Sequence, residues 1–126
     1  MRRVILFLIL AVLLAGCAKT PKIKVSILYP NAEGKHFDVD YYRDSHMVMV
    51  KKLLKPFGLL ETGIEKGLAG GDPKQPVPFL CIASMTYNSV EEFQKVFEAH
   101  GQELVDDVPN FTNIQPVIQI SEIEKR

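Results

Sequence analysis

Cysteine is nearly missing from this chain: two in 126 residues, Cys17 and Cys81. No Cys-His cluster can be assembled from them. No two of the three histidines stand at metal-ligand spacing on one helix either, so no metal site and no structural zinc are expected. An excess of positive charge is also missing. Fifteen Lys and Arg balance fifteen Asp and Glu, no basic stripe forms, and nucleic acid is not expected as a partner. The glycine-rich stretch Ala69-Gly70-Gly71-Asp72-Pro73 lacks the lysine and hydroxyl of a phosphate-binding loop, and no helix opens after it. The long apolar run Val4 to Leu14 is too short to cross a bilayer comfortably as a mature helix.

That run, behind Arg2 and Arg3, has the anatomy of a secretory signal. It closes on Leu14-Ala15-Gly16-Cys17, which resembles the lipobox of bacterial lipoproteins. The resemblance implies a signal peptide over residues 1–16, cleavage before Cys17 and acylation of that cysteine. The rivals are an uncleaved single-span anchor and a plain secreted product. Several acyl chains on one cysteine hold firmly where a single chain binds only marginally. The expected location is the cell envelope. Ala18 follows the cysteine where an aspartate would stand, which by resemblance to the sorting rule of two-membrane bacteria implies the outer membrane; in a one-membrane bacterium the same anchor implies the outer face of the cell membrane. Removing Arg2 and Arg3 leaves 13 basic against 15 acidic residues, a mature charge of −2 before histidine is counted. With Cys17 lipidated, no internal disulfide can form. Cys81, inside the apolar run Phe79 to Ala83, reads as a small buried filler.

Residues 17–21 form a tether, and residues 22–126 allow one small domain. Ile23, Val25, Ile27 and Tyr29 alternate with polar residues over a first strand, Lys22 to Tyr29. A helix follows from Asp38 to about Lys55. Asp38 is its N-cap, Phe37 and Tyr42 have the spacing of a hydrophobic staple, and Pro56 with Gly58 ends it. Val39, Tyr42, His46, Met49, Val50 and Leu53 share its apolar stripe. Strands are expected at about Leu59 to Leu68, Pro78 to Tyr87 and Asn113 to Ile123. Pro116 marks the last as an edge strand or a bulge. Between the last two, Ser89 and Glu92 match a capping box and open a second helix. Its stripe is Val90, Phe93, Val96, Phe97 and His100, and Gly101 is expected to interrupt it.

The order is β-α-β-β-α-β, an α+β, ferredoxin-like arrangement of one antiparallel sheet with both helices on one face. Ile23, Val25, Ile27, Ile64, Ile114 and Ile118 suit the helix-covered face. The other face is mixed: Leu28, Leu59, Leu80, Ile82 and Val117 with Ser26, Glu61 and Gln119. A half-apolar sheet face is not left in water, so a homodimer packed sheet against sheet around a cavity is expected.

Lys24 to Pro30, Phe37 to Tyr42 with His46, Glu65 to Gly71, and Asp107 to Thr112 running into Gln115 to Glu122 resemble the EthD family. That family belongs to the dimeric α/β barrel superfamily. The resemblance covers nearly the whole mature chain and implies the fold and the homodimer. Superfamily relatives include cofactor-free monooxygenases, polyketide cyclases and a muconolactone isomerase similar around the helix histidine. His46 is the position carried over from that isomerase. Relatives commonly have proline two residues later; Val48 stands here, which leaves the helix unbroken and narrows the expected cavity mouth.

His46 is either a core histidine tied to a backbone carbonyl or an acid–base group in a pocket. Tyr42 either packs or donates to a substrate oxygen. Tyr41 reads as an outer-face residue and His36 as a solvated one. His100 is expected to lock the loop of Asp107 and Asn110, and Asp106-Asp107 reads as a helix end and turn in preference to a catalytic dyad. Two functions remain open. One is a binding or accessory protein holding a small apolar ligand without chemistry. The other is a cofactor-free isomerase, cyclase or monooxygenase in which His46 moves a proton. A second titratable group beside His46 would favour the enzyme.

Overall fold

The computed structural model describes residues 20–124. The signal peptide and Cys17 lie outside them. Four strands form one sheet: β1 Ile23–Pro30, β2 Glu61–Lys66, β3 Phe79–Tyr87 and β4 Val117–Glu122. Their spatial order is β2-β3-β1-β4, with every pairing antiparallel. Helices join β1 to β2 and β3 to β4. This is the ferredoxin-like order expected from the sequence.

β2 and β4 are shorter than the alternation predicts. β4 begins only after Pro116, because the residues before it are spent on backbone ties described below. It is an edge strand, where a proline at the entrance disrupts no ladder.

The first helix opens as expected. Asp38 accepts a hydrogen bond from the Tyr41 amide at 2.9 Å, and the rings of Phe37 and Tyr42 lie 5.0 Å apart. It is not a uniform α-helix. One α-helical turn, Val39–Tyr41, passes into a π-helical turn, Tyr42–His46, and then into α-helix Met47–Leu54. The wider turn takes up extra chain, so the buried register slips. Met47, Val50 and Leu54 are buried, whereas an even spacing predicts Met49, Val50 and Leu53. A 3-10 turn, Lys55–Phe57, ends at Gly58, whose φ of 96° closes the helix in the left-handed region.

The second helix runs unbroken over Val90–Asp107, so Gly101 does not interrupt it. The glycine is buried because the Phe97 ring, one turn earlier, lies across it. A Cβ there would meet that ring at 3.2 Å. Phe97 is consequently turned outward and about half exposed, not buried as its stripe position predicts. Ser89 caps the Glu92 amide, but the Glu92 carboxylate accepts from the Asn88 amide instead of that of Ser89.

Val25, Tyr29, Cys81, Ala83, Met85 and Tyr87 point from the two central strands into the helix-covered core. Cys81 is wholly buried, and burial pushes its thiol up to about 11. In a chain carrying Cys17→Ser, a maleimide probe at pH 7.5 is therefore expected to label Cys81 only as fast as the domain unfolds. Rapid labelling under native conditions would contradict this placement. Leu28, Leu80 and Ile82 are half-buried on the uncovered face, and Val117 is exposed there. Among the described residues no helix is long and apolar enough to cross a membrane.

Candidate active site

The segment after the second helix is lashed to the start of the first. A 3-10 turn, Val108–Asn110, leads to Phe111, whose carbonyl accepts from the Asp38 amide at 2.8 Å. Thr112 donates its hydroxyl to the His36 carbonyl, and Asn113 accepts from the His36 amide at 3.0 Å. Phe37 and Thr112 also form an isolated bridge. These ties bring the end of the second helix beside the π-turn of the first.

There Asp107 meets His46. The His46 Nδ1 lies 2.7 Å from Asp107 Oδ2. Asp107 Oδ1 accepts from the Tyr41 hydroxyl and from the Asn110 amide nitrogen, both at 2.9 Å. Burial opposes the charge on Asp107, but hydrogen bonds from Asn110, His46 and Tyr41 together hold its carboxyl below the ordinary value. Burial is the larger influence on His46. It lowers the imidazole from 6.5 despite the neighbouring carboxylate. A neutral ring beside an ionised Asp107 carries its proton on Nδ1, which donates to Oδ2. The lone pair of Nε2 is then free.

That lone pair has somewhere to act. A cavity of about 470 Å³ lies between the sheet and the two helices, lined by His46, Tyr42 and Tyr29 among mostly apolar side chains. No hydrogen bond engages Nε2 among the described residues, and no side-chain nitrogen or oxygen there is both sealed and without a partner, so Nε2 keeps exposed surface on a residue that lines this space. Tyr42 stacks on His46 at 5.1 Å between ring centroids. Burial, reinforced by the Tyr29 hydroxyl, raises the Tyr42 phenol far above its ordinary value, and burial pushes Tyr29 up to about 12. Both phenols are therefore neutral donors at the polar end of an apolar chamber.

Several expectations change here. The cavity beside His46 is not at a sheet-to-sheet interface; it lies on the opposite face, inside one chain. A side chain on a helix packed against a sheet reaches only the face that helix covers. Tyr41 is not an outer-face residue, since its hydroxyl holds Asp107. Asp107 does more than end a helix. His100 does not lock the Asp107 loop: it sits seven residues upstream, about 10 Å along the helix, and pairs with Glu103 at 3.2 Å. Val48 is exposed and does not narrow the mouth, although the helix does continue through it. Among the described residues no group of three or more His, Cys, Asp or Glu could hold a metal.

Because the folded imidazole is lowered, the unfolded chain binds the extra proton first as pH falls. His46 therefore contributes stability above pH 6.5, and that contribution is lost as pH drops through its lower folded value. Asp107 adds a second loss below its ordinary 3.8. The Tm of the wild type is expected to fall more steeply between pH 7 and pH 5 than that of His46→Gln. Parallel curves would contradict the buried neutral ring.

A ferredoxin-like domain with an Asp-His pair turned into an apolar chamber defines the class of protein. The EthD domain model matches residues 34–115, more than half of the chain. The chain belongs to the EthD family. An EthD-like protein from Ralstonia eutropha JMP134 is 40% identical, with a TM-score of 0.77 over 84% of this chain and 96% of that one. The hydroxynitrile lyase of Passiflora edulis is 10% identical, with a TM-score of 0.62 over 85% and 97% of the two chains. SnoaB, a cofactor-independent oxygenase from Streptomyces nogalater, is 5% identical, with a TM-score of 0.58 over 84% and 96%. The last two share the fold. No curated protein sequence matches this chain.

Proposed function

We propose that this protein is a cofactor-free acid–base enzyme acting on an apolar small molecule that carries a ketone or enol oxygen. The observation that carries this is the 2.7 Å contact of Asp107 with His46, which orients an unprotonated Nε2 toward the cavity. A binding protein needs the chamber but not the carboxylate behind the imidazole. The chamber has the volume of a drug-sized ligand site. Its apolar walls hold the carbon skeleton, and its two neutral phenols meet the oxygen.

The chemistry is an isomerisation. His46 Nε2 takes a proton from the carbon next to the carbonyl. The C–H electron pair becomes the C=C bond of an enolate, and the carbonyl pair moves onto oxygen, where the Tyr42 hydroxyl donates. The imidazolium formed is stabilised by Asp107; it returns the proton to the same carbon, which is exchange, or, where the substrate carries a β,γ double bond, to the γ-carbon of the dienolate as the C=C bond shifts into conjugation with the carbonyl. No oxidant or reductant is consumed. The fold shared with a cofactor-independent oxygenase and a lyase is compatible with such a site.

The chain works as a homodimer held at the cell envelope through Cys17. The half-apolar open sheet face and the residues Leu14 to Cys17 support this part of the reading.

The test is deuterium uptake from D2O into a panel of apolar ketones and enol lactones, with thermal shift on the same compounds. Wild type is expected to exchange a ligand that it also binds, and Asp107→Asn to bind it with exchange slowed at least tenfold. A compound that stabilises wild type and His46→Ala equally, with no exchange in either, would return the protein to the binding class.

A further inference from the structure

Ile118 and Ile120 pair with Ile27 and Val25 on the helix-covered side of the sheet, yet they are 50% and 40% exposed. Across the gap, Phe97 and Val105 stand two turns apart on one stripe of the second helix and are 48% and 52% exposed. Phe97, Val105 and Ile118 also line the cavity. Phe97, Val105 and Ile118 are thus exposed apolar side chains of the cavity wall, with Ile120 next along the same face of β4, and exposed apolar surface of this kind marks an interaction site.

The chain's own anchor attaches near the Ile120 end of this apolar rim; Val105, fifteen residues into a helix that starts at that end, lies toward the other. The Lys22 carbonyl accepts from the Ile123 amide at 2.9 Å, so the polypeptide enters the domain against the end of β4. From Cys17 to Lys22 the chain reaches at most about 18 Å. Ile120 lies three residues from Ile123, about 10 Å along the strand. A lipid on Cys17 therefore holds the Ile120 end of this rim within reach of the bilayer that carries it. Glu98, Glu103 and Asp106 are exposed on the same helix, so attraction to anionic headgroups does not supply the contact.

We propose that the rim docks on the bilayer and that the cavity is loaded from the hydrocarbon phase. The substrate class is then a membrane-partitioned amphiphile with its oxygen entering first, toward Tyr42 and His46. Docking rests on the Cys17 anchor; only the fate of the ligand after entry rests on the acid–base reading.

The chain has no tryptophan, so Phe97→Trp installs a sole reporter at the rim. The lipidated variant is reconstituted into phosphatidylcholine vesicles with brominated acyl chains. Its emission is expected to shift to the blue and to lose at least half its intensity relative to unbrominated vesicles, at low and high salt alike. Leu68→Trp, in the loop that follows the far edge strand β2 and 88% exposed, is expected to stay unquenched. Val105→Trp repeats the rim measurement from a second position. Equal quenching at positions 97 and 68, or none at either rim position, would overturn the docking. So would shielding of Phe97→Trp from aqueous acrylamide before vesicles are added, since a second copy would then cover the rim. Recovery of the protein without acyl chains on Cys17 overturns it as well. Rim quenching in a protein whose His46 titrates above 6.5 removes the acid–base reading and leaves the docking. An unquenched rim with a depressed His46 removes the docking alone.

Discussion

His46→Ala is expected to slow proton exchange on any accepted ligand by about 10²- to 10⁴-fold, the contribution typical of one positioned general base. Binding of the same ligand is expected to weaken far less, since the walls of the chamber are mostly apolar and unchanged. The activity should also fall as pH drops through a value below 6.5, because only the neutral imidazole accepts a proton. A rate lost with an equal loss of affinity would point to a packing role instead. The measurement is the exchange rate at saturating ligand, compared with the dissociation constant from titration.

Phe111→Ala carries the second large effect. This ring is 1% exposed and lies 4.7 Å from the His46 ring, 4.9 Å from Tyr42 and 5.4 Å from Phe37, centroid to centroid. It also follows the turn that presents Asp107. Removing a buried phenylalanine costs roughly 3–5 kcal/mol through lost transfer energy and the cavity left behind. In a domain of this size that is a fall in Tm on the order of 10–20 °C. His46 should meanwhile return toward 6.5, since water enters where the ring was. Thermal unfolding and a histidine titration on the same variant check both. A Tm within 3 °C of wild type would contradict the placement of Phe111 at the centre of the aromatic cluster.

The fold was legible because each element carries its own local signal. Asp38 and Phe37 start one helix, Ser89 starts the other, and the alternation of β1 and β3 settles which residues face the core. The site was half legible. His46 and Tyr42 stand on an apolar stripe and could be read from spacing. Asp107 could not, because its partner is 61 residues away and nothing local distinguishes it from any acidic helix end. The run Asp107 to Thr112, one of the stretches that resemble the EthD family, was the available signal. Tyr41 was not legible as a site residue because the partner of its hydroxyl, Asp107, is 66 residues away. The face that holds the cavity was not legible because an apolar open sheet surface and a helix histidine carry no local sign of which side of the sheet each belongs to. The histidine sits on a helix, and the helices cover the other face.

The central claim is a neutral His46 that keeps its proton on Nδ1 and shows Nε2 to the cavity. Nitrogen-15 NMR of the imidazole across pH 4 to 9 tests it directly. The Nδ1–H tautomer is expected near neutral pH with a midpoint below 6.5, and the Asp107→Asn variant is expected to lose the tautomer preference. An Nε2–H tautomer, or a midpoint at or above 6.5, would contradict it.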